Sequence, residues 1–254
     1  DAFSSSLNTI SAQLTMQTGP LSVASTARRM GIRSPLKANA SLALGTSEVN
    51  LMELVSAYVP FANGGLRVRS YLIKRITTHR GKLLYQRSKP LPIEVVSGEA
   101  LSMMNSMLRQ VVDTGTGRAA RLEQHIAGGK TGTSQNFRDA LFVGHTAHLA
   151  TGIWFGNDNN KPTKKLTGGS LPAQAWKQFM TAALHDQPPR PLPGQLVYPS
   201  DLPITIPTNR PGPELDRDRI IDAQKTASLK QRVNAEIQKG SGKSIFDLIV
   251  EIGR

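Results

Sequence analysis

Six consecutive residues, Gly128-Gly129-Lys130-Thr131-Gly132-Thr133, hold the densest concentration of usable chemistry in the chain. A strand bearing Lys130 and Thr131 offers an ammonium and a hydroxyl to a carboxylate, and Gly132 lets a substrate backbone approach the strand edge. That set suits gripping the C-terminus of a peptide. Far upstream, Ser6-Leu7-Asn8 places a hydroxyl and a carboxamide two residues apart at the head of a helical segment, where such residues otherwise act as local caps. A third pattern, Ser34-Pro35-Leu36-Lys37, has the spacing of a serine nucleophile and a lysine base one helical turn later. It follows the helix-stopping Gly31, however, and therefore falls in a loop. His145 and His148 bracket the turn between two strands without carboxylate or cysteine company at metal spacing, so both are expected to be ordinary turn residues. With no zinc signature, phosphate-cradling loop or dinucleotide fingerprint, neither metal nor cofactor is expected.

The elements that must position these groups follow from periodicity. Leu7, Ile10 and Leu14 predict a helix over residues 5 to 17, and Ser22 is placed to cap a second helix that carries Ala24, Ala27 and Met30 up to Gly31. Leu51, Leu54, Val55 and Tyr58 predict a helix that begins after Glu48, is disturbed by Pro60 and ends at Gly64-Gly65. Weak alternation over residues 66 to 96 around Arg80-Gly81-Lys82 predicts a basic hairpin. Ser97, with Glu99 in the first turn, starts a helix whose stripe is Leu101, Met104, Leu108 and Val111. Two runs, 140 to 146 and 148 to 155, read as adjacent antiparallel strands. Pro172 opens a last helix with Trp176, Phe179, Met180, Ala183 and Leu184 on one face.

With 254 residues, 39% of them hydrophobic, the chain can bury a sizeable core and lies outside the range of disordered proteins. No run approaches the roughly 18 apolar residues that a membrane span requires. Cysteine is absent, which excludes disulfides and thiolate chemistry but leaves the compartment open. The net charge of +13 is concentrated: residues 28 to 89 contain twelve Lys or Arg against only Glu48 and Glu53. Such a face attracts anionic polymers or lipid surfaces. Nucleic acid is not expected as a partner, because aromatics make up only 5% of the chain and no nucleic-acid motif accompanies the charge. Nine of the 16 prolines fall between Pro188 and Pro213. The expected organisation is therefore a domain over 1–186, an extended, proline-rich linker rather than core over 187–217, and a partly helical tail over 218–254.

Longer blocks identify a family. FSSSLNTI from Phe3, LALGTSEV from Leu42, FANGG from Phe61, GGKTGT from Gly128, RDALFVG from Arg138, GIWFGND from Gly152, and Gly168-Gly169 with Leu171-Pro172-Ala173 together resemble class A penicillin-binding proteins in the family's order, across residues 1 to about 184. The resemblance implies an α+β fold, the α/β/α sandwich of penicillin-binding proteins and β-lactamases, here incomplete at its N-terminus. It makes Ser6 part of a proton-transfer network, Asn8 a contact to the bound peptide, and Lys130, Thr131, Gly132 and Thr133 the substrate-binding edge, with Ser6, Asn8 and Lys130 as the catalytic set. The family's nucleophilic Ser-x-x-Lys lies upstream of Ser-x-Asn, and Ser34-Pro35-Leu36-Lys37 comes after it, so the nucleophile is expected outside this chain. Asp139, Trp154 and Trp176 match family positions and are expected to be structural, as a loop polar group and two core aromatics. The implied activity is peptidoglycan D,D-transpeptidation on the periplasmic side of the bacterial inner membrane. Stem peptides ending in D-Ala-D-Ala and β-lactams would be ligands, with an N-terminal membrane anchor, an upstream glycosyltransferase domain and cell-wall synthesis proteins as associates. The rivals are a non-catalytic peptidoglycan-binding module and a β-lactamase-like hydrolase.

Overall fold

A computed structural model of the chain describes residues 1–195. Helix α1 spans Asn8–Thr18 and α2 spans Pro20–Met30, separated by Gly19. The second helix starts on Pro20, whose fixed φ and missing N–H suit the first helical position. Ser22 consequently lies within the helix and caps nothing, contrary to the sequence expectation. Helix α3 (Leu51–Ala62) is capped by Asn50, whose side chain accepts a hydrogen bond from the Glu53 N–H. Pro60 lacks an N–H for the helical ladder, yet α3 runs two residues past it before the Pro60 carbonyl is closed off by the Gly65 N–H at 2.7 Å. Strands β1 (Leu66–Arg67), β2 (Arg75–Thr77), β3 (Leu83–Gln86) and β4 (Ile93–Glu94) form two small antiparallel pairs, β1 with β4 and β2 with β3 around the predicted turn. Helix α4 (Gly98–Asp113) follows with Leu101, Leu108 and Val111 buried as its stripe required.

Strands β5 (Gly128–Thr133), β6 (Asp139–His145) and β7 (Ala150–Gly156) form an antiparallel sheet in that order, with Lys130 opposite Val143 and Thr131 opposite Phe142. Alternation along β6 sends Ala140 and Phe142 to one face and Val143 and His145 to the other. Helix α5 (Leu171–Ala183) covers the first face: Trp176 packs edge-on to Phe142 with ring centroids 5.2 Å apart and donates its indole N–H to the Thr151 carbonyl at 3.0 Å. Helix α3 covers the second, and Gly152 makes the close approach possible, since a Cβ there would meet Val55 Cγ2 at 2.5 Å. Helix, sheet and helix thus give the α/β/α layering that the resemblance implied, with α4 packed along β5.

Several side chains sit where periodicity did not put them. His145 is no turn residue: it is the last residue of β6, fully buried, with its ring 6.0 Å from Phe61 and 6.4 Å from Tyr58. His148 does occupy the turn, with Nε2 2.8 Å from the Pro188 carbonyl. Trp154 is not a core aromatic; it is 44% exposed on β7 and donates to Asp139 Oδ1 at 3.0 Å, while Asp139 itself begins β6 rather than lying in a loop. On α5, Phe179 and Ala183 face solvent and Pro172 and Ala173 take their place, because a helix lying flat on a sheet buries only a narrow stripe. The α1 stripe of Leu7, Ile10 and Leu14 is exposed, and among the described residues nothing covers it. Packing also does not stop at Asp186: Leu192 is 1% exposed, and the Pro193 carbonyl accepts a hydrogen bond from Asn105 Nδ2 at 2.8 Å. Residues 187–195 therefore belong to the body, against the expected linker boundary. The rest of the expected linker and the tail lie outside the described residues.

Candidate active site

The residues before α1 form a tight turn, in which the Ser6 N–H reaches the Phe3 carbonyl at 3.2 Å and the Leu7 N–H reaches the Ala2 carbonyl at 3.0 Å. Ser6 takes a φ of 54°, a left-handed conformation that non-glycine residues seldom adopt and that tends to occur where function holds it in place. This turn presents the Ser6 hydroxyl to β5. Lys130 Nζ donates to Ser6 Oγ, joining residues 124 apart in sequence, and lies 3.4 Å from its neighbour's carbonyl on Thr131. Burial holds the Lys130 amine below its ordinary value, because desolvation penalises the charged form. The same ammonium sits 5.9 Å from the centre of the Phe3 ring. A partly buried amine of lowered basicity against a hydroxyl is an arrangement that can move a proton.

Thr131 leaves β5 on the opposite face from Lys130. Its hydroxyl is 2.7 Å from that of Thr116, a residue in the loop after α4 that the sequence reading did not single out. Thr116 also donates its backbone N–H to the Ser4 carbonyl at 3.1 Å, so one residue ties the Ser6 turn to the Lys130 strand. A sequence signal did exist: Thr116 is flanked by Gly115 and Gly117, and a Cβ on Gly115 would meet the Ser4 carbonyl oxygen at 2.5 Å.

Thr133 accepts from the Gly168 N–H at 3.0 Å. Gly168 comes so close to β5 that a Cβ on it would meet the Gly132 carbonyl oxygen at 2.6 Å, which requires glycine there. Gly132 thus lies beneath the Thr167–Gly169 loop. Among the described residues, β5 pairs with β6 alone, so its other edge has no strand partner.

Ser6, Lys130, Thr131, Gly132 and Thr133 are therefore gathered at one strand. Asn8, in the first turn of α1, is exposed and its side chain makes no hydrogen bond among the described residues. Ser34 is not with them. Its hydroxyl donates to Glu53 Oε2 at 2.8 Å, and its N–H donates to the same oxygen at 3.1 Å, which makes the Ser-x-x-Lys spacing a loop fastening to α3. Among the described residues no group of three His, Cys, Asp or Glu side chains is placed to hold a metal, and no helix is long and apolar enough to cross a membrane.

Comparison with known proteins identifies the family. Residues 1–181 match the penicillin binding protein transpeptidase domain. Penicillin-binding protein 1A of Aquifex aeolicus is 36% identical over 180 residues, which cover 70% of this chain and 24% of that protein. Penicillin-binding protein 1A of Rickettsia conorii is 28% identical over 268 residues, covering 96% of this chain and 33% of that one. The chain thus spans a third or less of the length of these relatives. In structure, penicillin-binding protein 1A from Haemophilus influenzae superposes with a TM-score of 0.68 at 26% identity, over 78% of this chain and 35% of that one. The PonA1 protein from Mycobacterium tuberculosis in complex with penicillin V shares the fold, with a TM-score of 0.67 at 24% identity over 76% of this chain and 57% of that one.

Proposed function

The chain belongs to the transpeptidase family of class A penicillin-binding proteins, and from that premise we propose that it supplies the peptide-binding and proton-relay half of a peptidoglycan D,D-transpeptidase site. The observation that supports this most directly is the contact of Lys130 Nζ with Ser6 Oγ beside the open edge of β5. A stem peptide ending in D-Ala-D-Ala would add along that edge, its carboxylate held by Lys130 and by the Thr131 and Thr133 side of the strand, with Asn8 contacting the peptide from α1. An attacking serine forms an ester with the penultimate carbonyl and D-Ala leaves with a proton; the amine of a second peptide then takes the acyl group. Ser6 and Lys130 would carry the proton to the departing amine. The serine itself and its lysine are assigned to a Ser-x-x-Lys outside this chain, since Ser34 is tied to Glu53. β-Lactams would enter as carboxylate-bearing acylating mimics. The setting proposed is the periplasmic side of the inner membrane, in a protein that is anchored there and also carries a glycosyltransferase domain.

Lys130→Ala in the full-length protein that contains this chain should slow penicillin acylation by roughly a hundredfold or more. Labelling of that variant at the parent rate would remove Lys130 from the site.

A further inference from the structure

Arg28 at the end of α2, Arg33 in the loop after it, and Arg67 and Arg69 at and beyond β1 line a single cleft of about 350 Å³, together with Glu53 and Ser56 of α3. None of these residues belongs to the Ser6–Lys130 site. Arg67 donates one hydrogen bond to the Arg29 carbonyl at 3.2 Å, whereas the guanidinium groups of Arg28, Arg33 and Arg69 have no hydrogen-bond or ion-pair partner among the described residues. Glu53 makes no ion pair with any of them among the described residues. Its Oε2 is taken by the N–H groups of Arg33 and Ser34, at 3.2 and 3.1 Å, and by the Ser34 hydroxyl. Those bonds, the Ser34 backbone N–H first, hold its carboxyl below the ordinary value and keep it ionised.

Four arginines set against one glutamate leave three net positive charges around a space of small-ligand size. Guanidinium forks recognise carboxylate and phosphate alike, but a single carboxylate has two oxygens and cannot occupy three forks. A phosphate group with three terminal oxygens can, and a pyrophosphate matches the charge as well. We propose that this cleft is a phosphate-binding site, distinct from the peptide site, for a ligand that carries a phosphomonoester or pyrophosphate group.

The test is titration of the full chain with inorganic pyrophosphate at neutral pH, beside citrate as a polycarboxylate of similar charge and flotation with vesicles containing phosphatidic acid, whose headgroup is a phosphomonoester. Saturable pyrophosphate binding is expected, clearly tighter than citrate, and weakened about tenfold or more in Arg33→Gln/Arg69→Gln through loss of charge-assisted hydrogen bonds. Should a thermal melt show that the double variant is unfolded, Arg69→Lys carries the test: it keeps the charge but loses the fork, and a several-fold weakening is expected. Vesicle flotation that is lost in the same variants identifies a lipid-borne phosphate, and pyrophosphate binding without flotation identifies a soluble one. No saturable binding, equal binding of citrate, or unchanged affinity in the variants would overturn the proposal.

Discussion

Two ring nitrogens of His145 meet different fates in the core. Asn105 donates its amide to the carbonyls of Phe61 and Pro193, so its Oδ1 is left to accept, and His145 Nε2 at 2.9 Å must be the donor. Nδ1 is buried without a partner, and a second proton there would place an unpaired N–H in an apolar site. Burial accordingly lowers the imidazole from 6.5 to about 4. The unfolded chain takes up this proton before the folded one, so stability is full above the unfolded value and is lost as pH falls from 6.5 towards 4. The loss should reach about 3 kcal/mol at pH 4 relative to pH 7, read from urea unfolding midpoints. His145→Gln, which can still donate to Asn105, should remove this component of the slope, and an unchanged pH dependence in that variant would refute it. Lys130 follows the same physics: burial lowers its basicity too, but its neighbour is the Ser6 hydroxyl, the contact on which the proposed proton relay rests.

Elements are held in register at the site by loop residues rather than by the elements themselves. Thr116 bonds the Ser6 turn through its N–H and β5 through its hydroxyl, while the Gly168 N–H bonds Thr133. Thr116→Val keeps the shape and the backbone bond but deletes the hydroxyl pair. It should cost about 1 kcal/mol of stability and slow penicillin acylation of the full-length protein roughly tenfold, as Thr131 loses its orientation. Acylation at the parent rate would mean that Thr131 is positioned without Thr116. The β2–β3 hairpin stands in contrast: every residue of both strands is exposed, and Arg87 lies over the Tyr71 ring at 4.0 Å, so its basic charges are displayed to solvent as the sequence implied.

At the scale of the whole molecule, the body extends further than proline content predicted. Leu192 enters the core and Asn105 ties Pro193 to the same network that holds His145. Leu192→Ala should destabilise the chain by about 2 to 4 kcal/mol, measured by chemical unfolding, as expected for truncating a buried leucine. A change within a few tenths of a kcal/mol would return residues 187–195 to the status of a linker. Truncation before Pro188 should for the same reason cost stability.

The sequence by itself determined the element order, the antiparallel strand pair, the stripe of α4 and the Lys-Thr-Gly strand, because each rests on local periodicity or on a short motif with its own chemistry. Ser6 and Asn8 stood out as site candidates only through longer blocks, since Ser-x-Asn alone is frequent. Tertiary structure decided the rest. It placed the Ser6 hydroxyl on Lys130, made Thr116 the link between their segments, fastened Ser34 to Glu53, and sent His145 inward and Trp154 outward. It also gathered four arginines from three separate segments around one cleft. The physical reason is common to all of these: which side chains meet depends on how sheet and helix faces pack across more than a hundred residues of chain, and periodicity reports that a face is buried or exposed without saying against what.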